Sequence, residues 1–328
     1  MAVHVGRKWT VRRVLRWAFF LAVVGCIPII LGESSYHMYV ATLICIYIIT
    51  IMGLNLTVGY TGQISLAHAA FMGLGAYAVA LTMLNGYSFW LGLLLGVLMT
   101  FGAGLLVGLP SLRVKHHYLA LVTLGFGTAI YLLLCNEDEI TGGFSGLTGI
   151  PRPSIFGLPI SSDIAYYYLV AGFLVMLTII SLWILNSRWG RAFKAIRENE
   201  TRAEMVGVNP LAYKLLAFAI GAAYAGIAGG LMAQLMKFID PTSFPPEESF
   251  WFLLMLIIGG SGRFEGAFIG PVILTILQES LRGIQQLFFV FFAAIALLLI
   301  IFWPSGLAGL LDIFFQKVLK RPPPRLTK

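Results

Sequence analysis

The sequence contains little charge. Only 11% of its 328 residues are Asp, Glu, Lys or Arg, whereas 59% are hydrophobic. An average soluble domain has about 25% charged residues, so this composition excludes a water-soluble globular protein. The basic residues occur in short clusters between apolar runs, as they do at an anionic cytoplasmic membrane surface. That distribution argues against a nucleic-acid partner, although the formal net charge is +8.

Three signatures of chemistry or ion coupling are also missing. The cysteines Cys26, Cys45 and Cys135 lack CxxC spacing, so we interpret them as membrane-buried thiols and expect no metal site. No G-x-x-x-x-G-K-[ST] phosphate loop is present, so we expect no ATP hydrolysis, no enzyme activity and no cofactor in this chain. The apolar runs also nearly lack the carboxylates that ion-coupled carriers keep in the membrane, since they contain only Glu279, near the end of a run. Uphill transport would therefore need energy from another chain.

Long apolar runs dominate the sequence. A transmembrane helix needs about 20 mainly apolar residues. The runs that meet or approach this length are 17–31, 38–58, 70–84, 89–109, 118–135, 166–186, 211–237 and 287–303, with two shorter pieces at 250–260 and 266–282. The first run could be a signal peptide, but no A-x-A-like cleavage site follows it, so we expect an uncleaved helix.

The charges between the runs predict their orientation, because positive loops stay in the cytoplasm. The basic segments are the N-terminus, 110–117, 187–210 and the tail, and the acidic ones are 136–165 and 238–249. All of them alternate correctly if 38–84 and 250–282 each cross the membrane twice. We therefore predict an all-α polytopic membrane protein with about ten transmembrane helices and both termini cytoplasmic. Its parts are a basic N-terminus (1–16), a transmembrane domain (17–311) and a basic tail (312–328).

The basic stretch 187–210 is amphipathic. Ser187 or Asn186 can cap the start of a helix, and Gly207 can end it. Its apolar residues recur near helical spacing, and its charged residues lie mostly on the other side. Such a helix can lie on the lipid surface, stiffen a loop, or dock into a groove of a partner protein. Spacing alone does not choose among these three.

Four sequence blocks resemble the permeases of branched-chain amino acid ABC transporters. The most informative is GRAFKAIRENE at 190–200 with AEMVGVN at 203–209. The others are GLNL at 53–56 with GYTGQISLAHAAFMGLGAY at 59–77, TGG at 141–143 with GLTGIP at 146–151, and GGSG at 259–262 with Gly266 and Gly270-Pro271. The chain departs from the family at Arg263-Phe264-Glu265, where smaller residues are common.

The resemblance implies a function. In that family the loop at 187–210 is a cytoplasmic coupling helix that rests on an ATPase subunit. The residues it assigns to coupling here are Arg191, Ala192, Phe193, Ile196, Arg197, Glu198, Glu204 and Gly207. The expected partners are two ATP-binding subunits that hold ATP and Mg, a second homologous permease, an extracytoplasmic solute-binding protein, and the lipid of a bacterial inner membrane.

Two glycine breaks with the spacing G-x-[ST]-G separate paired spans, at Gly59–Gly62 and Gly259–Gly262. Broken backbone at membrane depth is tolerated where it is buried in protein or lines a cavity, and in transporters it often marks the pathway. We therefore predict that the polar residues near the first break line or flank the conduit; these are Asn55, Gln63, Ser65 and His68. The alternative is that the glycines simply make cytoplasmic turns and that His68 packs by hydrogen bonding.

Other functions remain open at this stage. The same architecture could import urea, short amides or aromatic acids, because the substrate is chosen largely by the binding protein. A passive small-solute channel would fit the absence of coupling charges but leaves 187–210 without a role. An ion-coupled secondary carrier lacks its intramembrane carboxylates.

Overall fold

The computed structural model describes residues 35–111, 116–155, 158–160 and 162–280, and isolated positions at Gly25, Pro28, Gly306, Leu307 and Gly309. The expected run 287–303, the N-terminus 1–16, the tail 312–328 and nearly all of the run 17–31 lie outside the described residues. The described part is mostly helical, as expected from the apolar runs.

The helices are α1 (Ser35–Leu54), α2 (His68–Leu84), α3 (Phe89–Ser111), α4 (His116–Asn136), α5 (Asp138–Thr141), α6 (Asp163–Asn186), α7 (Arg188–Glu198), α8 (Glu200–Met205), α9 (Pro210–Met236), α10 (Pro246–Gly259) and α11 (Gly266–Ser280). A π-helical turn, Asn55–Gly59, continues α1, and short 3₁₀ turns occupy Gly143–Ser145 and Pro241–Ser243. The strands are β1 (Leu147–Thr148), β2 (Ser154–Ile155), β3 (Leu158–Pro159) and β4 (Phe238–Ile239).

Each expected run within the described residues forms a helix, apart from residues at the run ends. Within the described part of the chain, five helical stretches are long and apolar enough to cross a membrane: Ser35–Gly59, Phe89–Leu109, Tyr118–Asn136, Asp163–Asn186 and Pro210–Met236. The helices α2 and α11 are apolar but shorter, and α10 has 14 residues. The fold is therefore that of a helical membrane protein, and the number of spans stays a prediction.

The helices α1 and α9 form the centre of the bundle. In the most apolar 18-residue stretch of each, 83% and 78% of the residues are buried inside the protein, against 28–39% in α3, α4 and α6. Glycines let the central backbones approach closely: a Cβ on Gly53 of α1 would lie 2.6 Å from the Gly221 carbonyl oxygen of α9. A Cβ on Gly229 would overlap the backbone of Met72 in α2. Such small-residue contacts let membrane helices pack by van der Waals attraction.

The contacts of α3 show how far along the bundle α2 begins. Along α3, Gly92 lies against Val79, Gly96 beside Gly75, Gly104 against Ala219 and Gly108 against Leu215. The first half of α3 thus packs on α2 and the second half on α9. It follows that α2 runs antiparallel to α3 and starts near the middle of the bundle rather than at one end.

Two groups of loops mark the ends of the bundle. At one end, β1 pairs antiparallel with β4, which joins the segment after α4 to the segment after α9. The helices α7 and α8 lie at the other end, between α6 and α9. The grouping of 136–165 with 238–249, away from 187–210, agrees with the loop charges.

Candidate coupling site and substrate path

The amphipathic stretch forms two helices instead of the single one predicted. The side chain of Ser187 accepts a hydrogen bond from the Trp189 N–H at 3.0 Å and caps α7, as its sequence position suggested. The prediction fails at Asn199, which is extended (φ −165°, ψ 112°) and caps α8 by accepting from the Arg202 N–H at 2.9 Å. Asparagine bonds readily to nearby backbone groups outside a helix, and here that preference divides the segment.

The apolar face of α7 is covered by the chain itself. Phe193 is fully buried in a cluster with Leu56, Tyr60, Ile184 and Ala217. Ala192 and Ile196 are also buried. Of the residues assigned to coupling, these three therefore pack α7 against the bundle, and the other five are exposed: Arg191, Arg197, Glu198, Glu204 and Gly207.

Two apolar side chains at the end of α8 are exposed. Met205 is 81% and Val206 is 76% accessible, and they directly follow Glu204 in the chain. The helix itself is held in place, because Glu200 forms an ion pair with Lys214 of α9 (Oε2–Nζ 2.6 Å). This exposed pair, the Met205–Val206 tip, therefore lies at the end of a helix that is attached to α9. The sequence reasoning did not single it out.

The two glycine breaks contact each other. The buried Asn55 amide donates through Nδ2 to the Arg263 carbonyl at 2.8 Å, and its Oδ1 accepts from the Gly262 N–H at 2.9 Å. A Cβ on Gly59 would lie 2.6 Å from the Gly262 nitrogen, so only glycine lets the two backbones approach this closely. Asn55 thus acts as a clamp between the breaks, and its amide is already engaged.

The helix α7 touches the breaks through two basic side chains. Arg197 donates from Nη1 to the Gly59 carbonyl, and Lys194 places Nζ 5.8 Å from the centre of the Tyr60 ring. Both breaks therefore lie at the α7 end of the bundle, on the side where the loop charges placed them.

After the first break, residues 62–67 run without regular structure into the middle of the bundle. Leu66 is level with the centre of α4, because its N–H donates to Thr123 Oγ1 at 3.0 Å and its carbonyl lies opposite Gly127. At the start of α2, the Ala69 N–H donates to Ser249 Oγ of α10 at 3.1 Å. Hydroxyls of neighbouring helices thus pair with backbone N–H groups of this segment and of the start of α2.

Gln63 and Ser65 lie on this segment, His68 begins α2 directly after it, and all three are buried. Gln63 Oε1 accepts from the Thr61 hydroxyl at 3.2 Å, and Ser65 Oγ lies 3.4 Å from His68 Nδ1. Gln63 Nε2 and His68 Nε2 have no hydrogen-bond partner within the described part of the chain. Buried polar groups are normally paired, so these two nitrogens could bind a polar solute or water.

Sequence reasoning missed the residues that support the segment. Thr123 and Ser249 belong to other helices, and single hydroxyls in apolar runs are common. No local pattern distinguishes a hydroxyl that caps a distant backbone from one that bonds to its own helix, so only the fold shows their role.

Residues 36–303 match the family described as the permease component of the branched-chain amino acid transport system. The high-affinity branched-chain amino acid transport permease LivM of Salmonella typhimurium is 36% identical, over 91% of this chain and 75% of the relative. LivM of Escherichia coli is 35% identical over the same shares, and LivH of Salmonella typhimurium is 27% identical over 80% of this chain and 91% of the relative. No solved structure matches significantly.

Proposed function

We propose, because the chain belongs to the family of branched-chain amino acid transport permeases, that it is the membrane-spanning subunit of an ATP-driven importer. In this proposal it translocates branched-chain amino acids delivered by an extracytoplasmic binding protein. Its relatives are permease subunits, which fits a transporter rather than an enzyme.

The observation that carries the proposal is the seating of α7 and α8. An amphipathic helix on a lipid surface would turn its apolar face to the membrane. Here that face is packed on the protein's own helices, while Arg191, Glu198 and the Met205–Val206 tip are exposed. This arrangement suits docking to a partner, and contact with the breaks gives the partner a route to the membrane helices.

The remaining parts of the importer follow from this assignment. We place the α7 end and both termini in the cytoplasm, the protein in the bacterial inner membrane, and the β1–β4 end outside, where the binding protein would dock. Two ATPase subunits would bind ATP and Mg, and a second homologous permease would complete the membrane part. This chain itself would need no cofactor.

Co-purification tests the coupling assignment. A tagged chain purified from native membranes should bring ATPase subunits and a second permease. The double substitution Met205→Asp with Val206→Asp should reduce the ATPase subunits recovered by about tenfold, because charge would enter a desolvated contact. Phe144→Asp is the matched control, since Phe144 is 67% exposed at the opposite end. Full recovery with the tip variant, or no ATPase subunits with wild type, would contradict the assignment.

We further propose that Gln63, Ser65 and His68 belong to the substrate path, whereas Asn55 holds the breaks together. The support is that Gln63 and Ser65 lie on the irregular segment, that His68 directly follows it at the start of α2, and that two of their nitrogens are unpartnered among the described residues. Gln63→Ala and His68→Ala should each lower the initial uptake rate several-fold at normal expression. Asn136→Ala, an exposed amide bonded within its own helix, should leave uptake unchanged. Unchanged uptake in both test variants would refute the path.

The substrate is tested by competition. Radiolabelled leucine uptake should be inhibited by excess isoleucine and valine. Inhibition by urea, short amides or aromatic acids instead would assign the same architecture to one of those substrates. Uptake that persists without ATP would favour a passive channel.

A further inference from the structure

The two glycine breaks share a feature beyond their spacing. The fourth residue of each, Gly62 and Gly262, has a positive φ, +75° and +79°. L-residues with side chains rarely adopt this conformation, so glycine is favoured at both positions. The two glycines border the same side chain, Arg197 of α7.

Arg197 spans both breaks. Its stem lies at the first break, where a Cβ on Gly62 would be 3.7 Å from Arg197 Cγ. Its head lies at both, because Nη1 donates to the Gly59 carbonyl and a Cβ on Gly262 would overlap the guanidinium. That same Cβ would also lie 2.7 Å from the Gly59 oxygen. Only the absence of a side chain at Gly262 leaves room for the arginine head.

We propose that Arg197 is a positioning residue that links α7 to both glycine breaks, so that displacement of α7 moves the ends of α1 and α10 together. The inference rests on the proposed function, since it needs a partner that moves α7. Arginine suits the position because its planar head carries five N–H donors on a long stem and stays charged. One nitrogen can therefore hold the Gly59 carbonyl while the rest of the head borders the second break.

Other contacts already hold α7 on the bundle and the two breaks against each other. Phe193, Ala192 and Ile196 seat α7 on the bundle, and Asn55 fastens one break to the other. Arg197 is itself an exposed residue. What it adds is a connection between the moving helix and the paired breaks, and its loss should therefore affect coupling more than assembly.

The test is the number of leucine molecules imported per ATP hydrolysed by the whole transporter in proteoliposomes with its binding protein. Arg197→Ala should keep ATP hydrolysis within about twofold of wild type but lower uptake about tenfold, the size of a typical coupling between sites. Arg197→Lys should recover part of the ratio, because one ammonium can still reach the Gly59 carbonyl. Lys194→Ala should have a smaller effect, since Lys194 contacts the Tyr60 ring of the first break.

Gly262→Ala provides a second perturbation, because its methyl group would displace the arginine head and press on the Gly59 carbonyl while Arg197 itself is kept. Its matched control is Gly86→Ala. Gly86 has the same kind of backbone (φ +82°), but its added Cβ would meet nothing within 4 Å. Gly262→Ala should lower the import-to-ATP ratio as Arg197→Ala does, and Gly86→Ala should not.

Two results would overturn the proposal. One is an unchanged import-to-ATP ratio in both Arg197→Ala and Gly262→Ala. The other is a proportional loss of uptake and ATP hydrolysis with loss of ATPase subunits, which would make Arg197 a structural contact only. A wild-type complex without ATP-dependent uptake would instead overturn the proposed function, so the two failures are distinguishable.

Discussion

Replacing Asn55 with alanine should destabilise the protein at the junction of the two glycine breaks. The Asn55 side chain is 2% exposed, and it makes one hydrogen bond as a donor and one as an acceptor to backbone groups more than 200 residues away. Both bonds join the π-helical end of α1 to a turn that follows α10, so the amide pairs backbone groups of the turn that have no helical partner.

The magnitude follows from these two bonds. A neutral hydrogen bond contributes about 1 kcal/mol net, and a buried group left without its partner costs about 1–3 kcal/mol. Asn55→Ala removes both bonds and takes the acceptor from the Gly262 N–H. We therefore expect a loss of about 2–4 kcal/mol, which corresponds to a fall in melting temperature of about 4 °C or more in a chain of this length.

Cysteine chemistry provides the assay. Cys45 and Cys135 are buried in the folded chain, so a thiol-reactive fluorophore reports their exposure as detergent-solubilised protein is heated. A Cys26→Ser background confines the signal to these two thiols. Asn85→Ala is the matched control, because the exposed Asn85 amide donates only to the Leu81 carbonyl of its own helix. Equal melting temperatures for the two alanine variants would refute the clamp.

Two further substitutions test packing and backbone support. Gly229→Ala should lower the melting temperature by several degrees, because its Cβ would overlap the Met72 backbone. Gly172→Ala is its control and should have little effect, because a Cβ there would meet none of the described residues within 4 Å. Similar melting temperatures for both variants would argue against close contact of the helices. Thr123→Val removes the hydroxyl that accepts from the irregular segment and should cost about 1–3 kcal/mol in the same assay. Thr128→Val, an exposed hydroxyl on the same helix, is its control, and a stability loss no larger than that of the control would show that the segment does not need this hydroxyl.

Much of the helical framework could be predicted because its cause is local. Continuous apolar runs form helices in a membrane, where every backbone group must be satisfied internally, and the start of α7 followed from a serine that caps its own chain. The glycine breaks were recognisable for the same reason, since Gly62 and Gly262 adopt a conformation that favours glycine. The end of α7 at Asn199 also has a local cause, the preference of asparagine for a capping position. The apolar spacing continues across Asn199, however, and for that reason one helix was predicted instead of two.

The direction in which α7 faces could not be predicted, because periodicity identifies an apolar face but not what covers it. The spacing of Ala192, Phe193 and Ile196 fits a partner's groove as well as the protein's own helix ends, and burial within the chain decides between them. The consequence for function is specific. A partner that binds the exposed face of α7 would push on a helix already fastened to both breaks through Arg197, so force could reach α1 and α10 without any rearrangement of the contact itself. If Arg197 instead faced the partner alone, α7 would lose its contact with the second break, and the shared contact of Gly62 and Gly262 with one side chain would have no mechanical role.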